Sequence, residues 1–193
     1  VVPPPHPVLA REVVRFVGEP LAFVVADSIA AARDAAEAIG VDYEPLEAAV
    51  DPRAALAAGA PLLHAGRQSN VAYEYHLGKR AETDAAFAGA ARVARVALAN
   101  NRVCAAFMET RGAIAEYDTA TGRYTLTLGT QGGQAVKRML AEHILKTDPA
   151  RLRVVTPDVG GAFGVKMFVY PEYALAAVAA ERLGRPVKWV ADR

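Results

Sequence analysis

The chain has 193 residues, of which 53% are hydrophobic and 22% charged, and its formal net charge is +1. This length suits one large domain or two modest ones, and the apolar fraction excludes a globally disordered chain. A net charge near zero gives no reason to expect a nucleic-acid partner, and a lone cysteine, Cys104, excludes an internal disulfide. We therefore expect a cytoplasmic protein in a reducing compartment.

The two ends of the chain carry no membrane signal. The start lacks the charged-then-apolar layout of a signal peptide, and the longest apolar stretch, 173–180, is too short to span a bilayer. The chain starts without methionine and stops at Arg193, directly after a predicted strand. These features predict a piece of a longer protein.

The first part of the sequence predicts a compact α+β arrangement after a proline-rich leader, 3–7. Ser28 and Asp27 are N-cap candidates for a helix through Ile39, and Gly40 stands where a C-terminal glycine belongs. A linker is predicted at 59–70, where glycine, proline, serine and asparagine accumulate. In chain order, the predicted elements are strands at 13–17, 21–25 and 41–44 and a short helix at 52–58.

The second part predicts strands and helices in alternation. A polar connector, 118–123, lies between two β-prone runs and is typical of a hairpin. Apolar residues recur at helical spacing over 135–145. The predicted strands cover 71–77, 93–99, 113–117, 124–128, 152–155 and 187–190, and the predicted helices cover 82–88, 135–145 and 171–183.

Two glycine-containing loops, 129–134 and 158–166, are the main candidates for chemistry. Each follows a strand and precedes a helix, where backbone N–H groups can approach an anion such as a phosphate or an oxo group. Neither loop matches the spacing of a known phosphate loop, since Lys166 is followed by Met167. On the residues alone, two tight turns are the better interpretation.

Other candidate residues favour structural roles. Cys104 is predicted to be a buried structural thiol, and Glu109 and Arg111 are predicted to form an ion pair or part of a site. No Gly-x-Ser-x-Gly motif is present. The histidines lack metal-ligand spacing, so no zinc site is expected: His6, His64, His76 and His143.

The order of the motifs resembles the large subunits of the molybdenum hydroxylases. This family comprises xanthine dehydrogenase, aldehyde oxidase and aerobic carbon monoxide dehydrogenase. The stretch 13–22, followed by Ala35-Ala36-Glu37 and 41–46, is similar to their a/b hammerhead domain. The later motifs look like their first molybdopterin-binding domain: Asn70, 108–111, Thr130-Gln131, 153–155, 158–166, Pro171-Glu172, 184–189 and Asp192-Arg193.

The resemblance covers the chain from about Leu9 to Arg193 and implies its fold. The fold class is α+β. Residues 1–62 are expected to be the C-terminal part of the hammerhead domain. Residues 63–193 are expected to be the N-terminal part of an α/β molybdopterin-binding domain with mixed sheets.

The resemblance also implies the site. Gln131 would hydrogen-bond an oxygen ligand of the molybdenum and would be the catalytic residue of this chain, with no residue of the chain ligating a metal. Gly161, Ala162, Phe163 and Gly164 would lie against the cofactor, with their backbone donors turned toward it. The cofactor would be molybdopterin or its cytosine dinucleotide, and iron–sulfur clusters and FAD would lie on partner subunits.

The implied activity is hydroxylation of an aldehyde or heterocycle, or oxidation of carbon monoxide, by an oligomer of molybdopterin, iron–sulfur and flavin subunits. In the xanthine-oxidising branch a glutamate follows the glycine loop. Met167 stands there in this chain, which favours a carbon monoxide- or aldehyde-oxidising relative. The catalytic glutamate and the second cofactor-binding domain are expected beyond Arg193, so the isolated chain is expected to be inactive. The alternative is a non-enzymatic interaction or assembly module derived from the same family.

Overall fold

The computed structural model describes residue 4 and residues 6–192 of the chain. Two members of the predicted proline leader, Pro3 and Pro5, lie outside the described residues, as does Arg193. The chain forms two compact units. Of the described residues, one unit contains 4, 6 and 43–103, and the other contains 7–42 and 104–192.

The larger unit is built on a four-stranded mixed sheet. The hairpin predicted around 118–123 is confirmed, with Asp118 paired to Arg123. The strand order is β3-β2-β1-β4, where β2 and β3 are parallel and β1 is antiparallel to both of its neighbours. The strands are β1 (Gly112–Asp118), β2 (Arg123–Leu128), β3 (Leu152–Val155) and β4 (Val187–Val190).

The described part of the chain contains four α-helices, and local sequence signals explain several of their ends. The Ser28 hydroxyl accepts a hydrogen bond from the Ala31 N–H and begins the first helix as predicted. Pro171 begins the last helix, and Gly184 ends it with a φ of 61°. The helices are α1 (Ile29–Glu37), α2 (Arg80–Ala88), α3 (Gly133–Arg138) and α4 (Pro171–Leu183).

The predicted helix over 135–145 changes its winding partway. α3 continues as a π-helix over Met139–Leu145, which ends at Lys146 in a left-handed conformation with a φ of 53°. The N–H of Thr147 donates to the carbonyl of Ala141, closing the widened turn. Hydrophobic spacing specifies which face is buried, but it does not distinguish an α from a π winding over two turns.

The core lies between one face of the sheet and a layer formed by helix α4 and the α3–π-helix segment, whose Val136, Leu140 and Ala141 are buried in it. Alternate strand residues point into it, and Leu126 and Ala115 are almost fully buried. Small alanine side chains let α4 approach the sheet closely. The hydroxyl of Tyr124 donates to Glu181 at 2.7 Å and joins β2 to α4. The α4 residues of the core are Tyr173, Ala174, Ala176, Ala177 and Ala180.

The smaller unit contains α2, a short 3₁₀ turn (Ala54–Leu56) and extended segments. The side chain of Asn70 ties the segment predicted to be a linker. Its Oδ1 accepts from the Leu63 N–H, and its Nδ2 donates to the carbonyls of Ala55 and Pro61, at 2.9–3.0 Å. Asn70 therefore holds the end of this segment against residues 55–63 by three hydrogen bonds.

Several predicted strands are not strands in the structure. The segments concerned are 13–17, 21–25, 41–44, 71–77 and 93–99. Their backbone is non-helical, but none has a ladder partner among the described residues, and a strand requires one. A hydrogen bond from the Ala10 N–H to the Pro20 carbonyl closes a loop that contains the first of these segments, 13–17. Alternation of apolar residues predicted extended backbone but not its pairing.

Candidate functional site

The two glycine loops leave the sheet at the same edge. β2 and β3 are parallel neighbours, so the loop after Leu128 and the loop after Val155 begin at adjacent carboxyl ends. The N–H of Gly164 donates to Oε1 of Gln131 at 2.9 Å, and the N–H of Gln131 donates to the carbonyl of Lys166 at 3.1 Å. The structure thus joins the two segments that the sequence singled out separately.

The hydrogen bond from Gly164 determines which way the amide of Gln131 faces. A backbone N–H can only donate, so the atom that it meets must be the amide oxygen. The Nε2 group of Gln131 therefore remains as a donor, and the side chain is exposed. Such a donor suits an oxygen acceptor and does not suit a cation.

The tip of the second loop has a strained backbone. Gly161 has a φ of 90°, and Phe163, which carries a side chain, has a φ of 47°. The ring of Phe163 is 73% exposed, and Met167 and Phe168 beside it are also exposed. Strained residues of this kind concentrate at ligand sites. The loop tip therefore presents an apolar edge next to the polar amide of Gln131.

The loop tip also offers backbone donors. Within the described residues, the N–H groups of Ala162 and Phe163 donate to no other group, whereas those of Gly161 and Val165 bond within the loop. The two backbone N–H groups and the Nε2 group of Gln131 are all hydrogen-bond donors. Such a group of donors can bind an oxygen-rich anion.

An ion pair between the buried Lys166 and the partly exposed Glu109 lies beneath the two loops. The Lys166 side chain is fully buried, and its Nζ lies 2.5 Å from Oε2 of Glu109. The same oxygen accepts the Gly160 N–H at 2.9 Å, and the Gly160 carbonyl accepts the Glu109 N–H at 3.1 Å. Lys166 is the last residue of the predicted loop 158–166, but the sequence does not indicate a role for it. Its neighbours Val165 and Met167 gave no sequence signal that the Lys166 side chain points inward.

The predicted pairing of Glu109 with Arg111 is wrong, because each residue has another partner. The Arg111 guanidinium forms two 3.3 Å contacts with the Glu172 carboxylate and stacks 3.7 Å from the centre of the Tyr170 ring. The chain bends at Glu109, whose carboxylate contacts Lys166, whereas Arg111 contacts the start of α4. Cys104 is exposed, which also corrects the prediction of a buried thiol.

The electrostatics of Glu109 keep it ionised. The hydrogen bond from Lys166, followed by that from the Gly160 N–H, lowers the pKa of the Glu109 carboxyl below its ordinary value of 4.5. A general base that works near neutral pH needs a pKa close to that pH, so Glu109 does not fit such a role. Its geometry is that of a counter-ion.

The lowered pKa of Glu109 predicts how stability depends on pH. The ionised carboxylate stabilises the folded state fully above the ordinary value of 4.5, and this contribution is lost as the pH falls through the lower folded pKa. We expect the unfolding free energy of the wild type to exceed that of Glu109→Gln by a constant amount near neutral pH. The difference shrinks in the acid range. Denaturant titrations of both proteins from about pH 3 to pH 7 check this, and a difference independent of pH would contradict it.

No cluster of three or more His, Cys, Asp or Glu side chains that could hold a metal ion occurs among residues 4 and 6–192. In the same part of the chain, no helix is both long and apolar enough to cross a bilayer. The candidate site therefore consists of hydrogen-bond donors rather than metal-ligating side chains.

Comparison with known proteins matches both regions of the sequence. Residues 63–193 match the molybdopterin cofactor-binding domain, and residues 2–47 match the a/b hammerhead domain of aldehyde oxidase and xanthine dehydrogenase. The nicotine 6-hydroxylase large subunit of Paenarthrobacter nicotinovorans is 42% identical over 97% of this chain and 22% of its own length. The carbon monoxide dehydrogenase large chain of Hydrogenophaga pseudoflava is 38% identical over 96% of this chain and 24% of its own length.

A solved structure matches as well. Quinoline 2-oxidoreductase from Pseudomonas putida 86 superposes with a TM-score of 0.85 at 39% identity, over 96% of this chain and 23% of that one. The α+β fold expected from the sequence, with hammerhead and molybdopterin-binding regions and a mixed sheet, is confirmed. The chain spans less than a quarter of the length of the curated relatives described above.

Proposed function

The chain belongs to the molybdenum hydroxylases through its molybdopterin cofactor-binding domain, and from that premise we propose that its two loops form one wall of the cofactor pocket. The observation that most supports this is the orientation of Gln131. Its Oε1 is engaged by the Gly164 N–H, which leaves Nε2 as a donor beside the two N–H groups at the loop tip.

Each site residue has a distinct task in this proposal. Gln131 would hold an oxygen of the molybdenum cofactor through its Nε2 donor. Ala162 and Phe163 would hold the cofactor through their backbone N–H groups, and Gly161 gives the loop the positive φ of its turn. Gly164 orients Gln131 through its own N–H. In this proposal, none of the described residues ligates the metal.

The proposed reaction is the hydroxylation of a heterocycle or aldehyde, or the oxidation of carbon monoxide. When bound, the molybdenum cofactor supplies the two-electron oxidation of the substrate. The residues of this chain hold the cofactor by hydrogen bonds that act best where negative charge develops. The exposed Phe163, Met167 and Phe168 would offer apolar surface to the cofactor or substrate.

Proton transfer requires a group outside the described site. Glu109 is engaged by Lys166 and Gly160 and its pKa is lowered, so it holds its charge rather than exchanging a proton. The proposed enzyme therefore draws its base from a further polypeptide segment. The lengths of the relatives support this, because about three quarters of each lies outside the matched region.

We propose a domain boundary between residues 62 and 63. The match of residues 63–193 to the cofactor-binding domain supports this boundary. Partner subunits carrying iron–sulfur clusters and FAD would take the electrons, in a cytoplasmic oligomer.

A second candidate function is an interaction or assembly module without catalysis. The observation that favours it is the exposure of alternating apolar side chains in an extended segment of the smaller unit. Tyr73, Tyr75 and Leu77 are 66–87% exposed. Exposed apolar side chains on an unpaired extended segment favour pairing with another chain.

Metal and pterin analysis separates these candidates. We expect about one molybdenum and one pterin per full-length protein purified from a host that makes the cofactor, and far less than one on the isolated 193-residue chain. Stoichiometric molybdenum on the isolated chain would contradict the claim that a further segment completes the pocket. A full-length protein that binds its partners without molybdenum would overturn the catalytic proposal in favour of the assembly module.

A further inference from the structure

Lys166 is an unusual residue to find beneath a ligand-binding loop. Among the described residues it is the one cationic side chain that is buried, with 1% of the residue exposed. A buried ammonium is costly unless a counter-charge and hydrogen bonds compensate it. Glu109 supplies the counter-charge at 2.5 Å, and the face of the Phe107 ring lies 5.0 Å from Nζ.

The two ends of Lys166 contact different parts of the site. Its Nζ contacts Glu109, whose carboxylate also holds the Gly160 N–H. Its carbonyl accepts from the Thr130 hydroxyl at 2.8 Å and from the Gln131 N–H at 3.1 Å. One residue thus connects the base of the second loop to the backbone that carries Gln131.

The first loop lies close to both members of this pair. A Cβ added to Gly129 would lie 3.1 Å from Oε2 of Glu109 and 3.7 Å from Nζ of Lys166. The Thr130 hydroxyl is buried and also accepts the Gly132 N–H at 3.2 Å. The first loop therefore lies directly against the ion pair, and movement of Lys166 is transmitted to Gln131.

We propose that Lys166 and Glu109 are positioning residues, which hold Gln131 at a fixed distance from the backbone donors of the loop tip. This inference rests on the proposed function. The side chain of Lys166 has no exposed surface, so it cannot itself contact a ligand, and it acts through its carbonyl and through Glu109. Side chains that orient ligand-contacting groups usually change activity by about 10-fold to 100-fold when replaced.

A double-mutant cycle in the full-length enzyme tests the proposal. Lys166→Met keeps the length and apolar body of the side chain, and Gln131→Ala removes the group that it positions. Lys188→Met is the matched control, because Lys188 is exposed on β4. We expect Lys166→Met to lower turnover by about 10-fold to 100-fold, and we expect no further loss when it is added to Gln131→Ala. Lys188→Met should leave turnover at the wild-type level.

Two further measurements distinguish positioning from a merely structural role. The electron paramagnetic resonance spectrum of the molybdenum should change in the same sense in Lys166→Met and Gln131→Ala, with molybdenum content retained in both. Where Lys166→Met fails to fold or to retain molybdenum, Glu109→Gln takes its place in the cycle, since it removes the charge and keeps an oxygen acceptor for Gly160. Rescue of turnover by Lys166→Arg would support the requirement for a cation.

Each outcome bears on one claim. Wild-type turnover in both Lys166→Met and Glu109→Gln, or losses that multiply with that of Gln131→Ala, would overturn the positioning role. If Gln131→Ala itself retains full turnover and an unchanged spectrum, the proposed function fails independently of Lys166.

Discussion

Gln131→Glu in the cofactor-loaded enzyme lowers turnover by about 100-fold to 1,000-fold, the usual loss when one donor to a developing negative charge is removed. The variant has nearly the same shape, and its carboxylate still accepts the hydrogen bond from the Gly164 N–H. The outward-facing donor is replaced by an anionic oxygen, which repels a metal-bound oxygen. Because the side chain is exposed, the unfolding free energy should change by less than about 1 kcal/mol.

The matched control for this variant is Gln134→Glu. Gln134 is also exposed and lies three residues further along, in α3. Its substitution adds the same charge close to the same loop. Steady-state turnover and denaturant unfolding of both variants give the comparison. Equal losses in the two variants would mean that the general charge of the loop matters, and the assigned role of Gln131 would be wrong.

Gly160→Ala should destabilise the protein by about 2–3 kcal/mol and reduce its molybdenum content. A Cβ on this residue would lie 2.5 Å from the Cβ of Glu109, and neither atom is at the flexible end of a side chain. The two backbone segments would have to separate. Both hydrogen bonds between Gly160 and Glu109, at 2.9 and 3.1 Å, would weaken as a result.

Gly184→Ala is the control for Gly160→Ala. Gly184 has a φ of 61° at the end of α4 and nothing within 4 Å of an added Cβ. Its replacement costs only the conformational penalty, roughly 1 kcal/mol. Thermal or denaturant unfolding of both variants, with molybdenum analysis, measures the difference. A smaller loss in Gly160→Ala than in Gly184→Ala would contradict the close contact described for Gly160.

Much of the larger unit was predictable because its signals are local. The connector 118–123 specified the hairpin, and Ser28, Pro171 and Gly184 specified helix ends through their own backbone preferences. Each of these residues contacts or shapes the backbone only a few positions away, so its effect can be read from the local sequence. The same holds for the two glycine loops, which the sequence located between a strand and a helix.

Pairings across the chain were not predictable in the same way. The segment 71–77 alternates as a strand should, but no ladder partner lies among the described residues. Glu109 was paired with its near neighbour Arg111 in the sequence interpretation, whereas its actual partner, Lys166, lies 57 residues away. That separation carries no spacing signal. The family resemblance suggested the role that we propose for Gln131, and the hydrogen bond from Gly164 shows how its amide is oriented.

The central claim is that Gln131 and the loop tip contact the cofactor, and a crystal structure of the cofactor-loaded, full-length enzyme tests it most directly. The quantity to measure is the distance from Nε2 of Gln131 to the nearest oxygen on the molybdenum. We predict a hydrogen bond of about 2.7–3.2 Å, with the N–H groups of Ala162 and Phe163 also directed at the cofactor. A cofactor bound elsewhere, with Gln131 and the loop tip in contact only with solvent or protein, would contradict it.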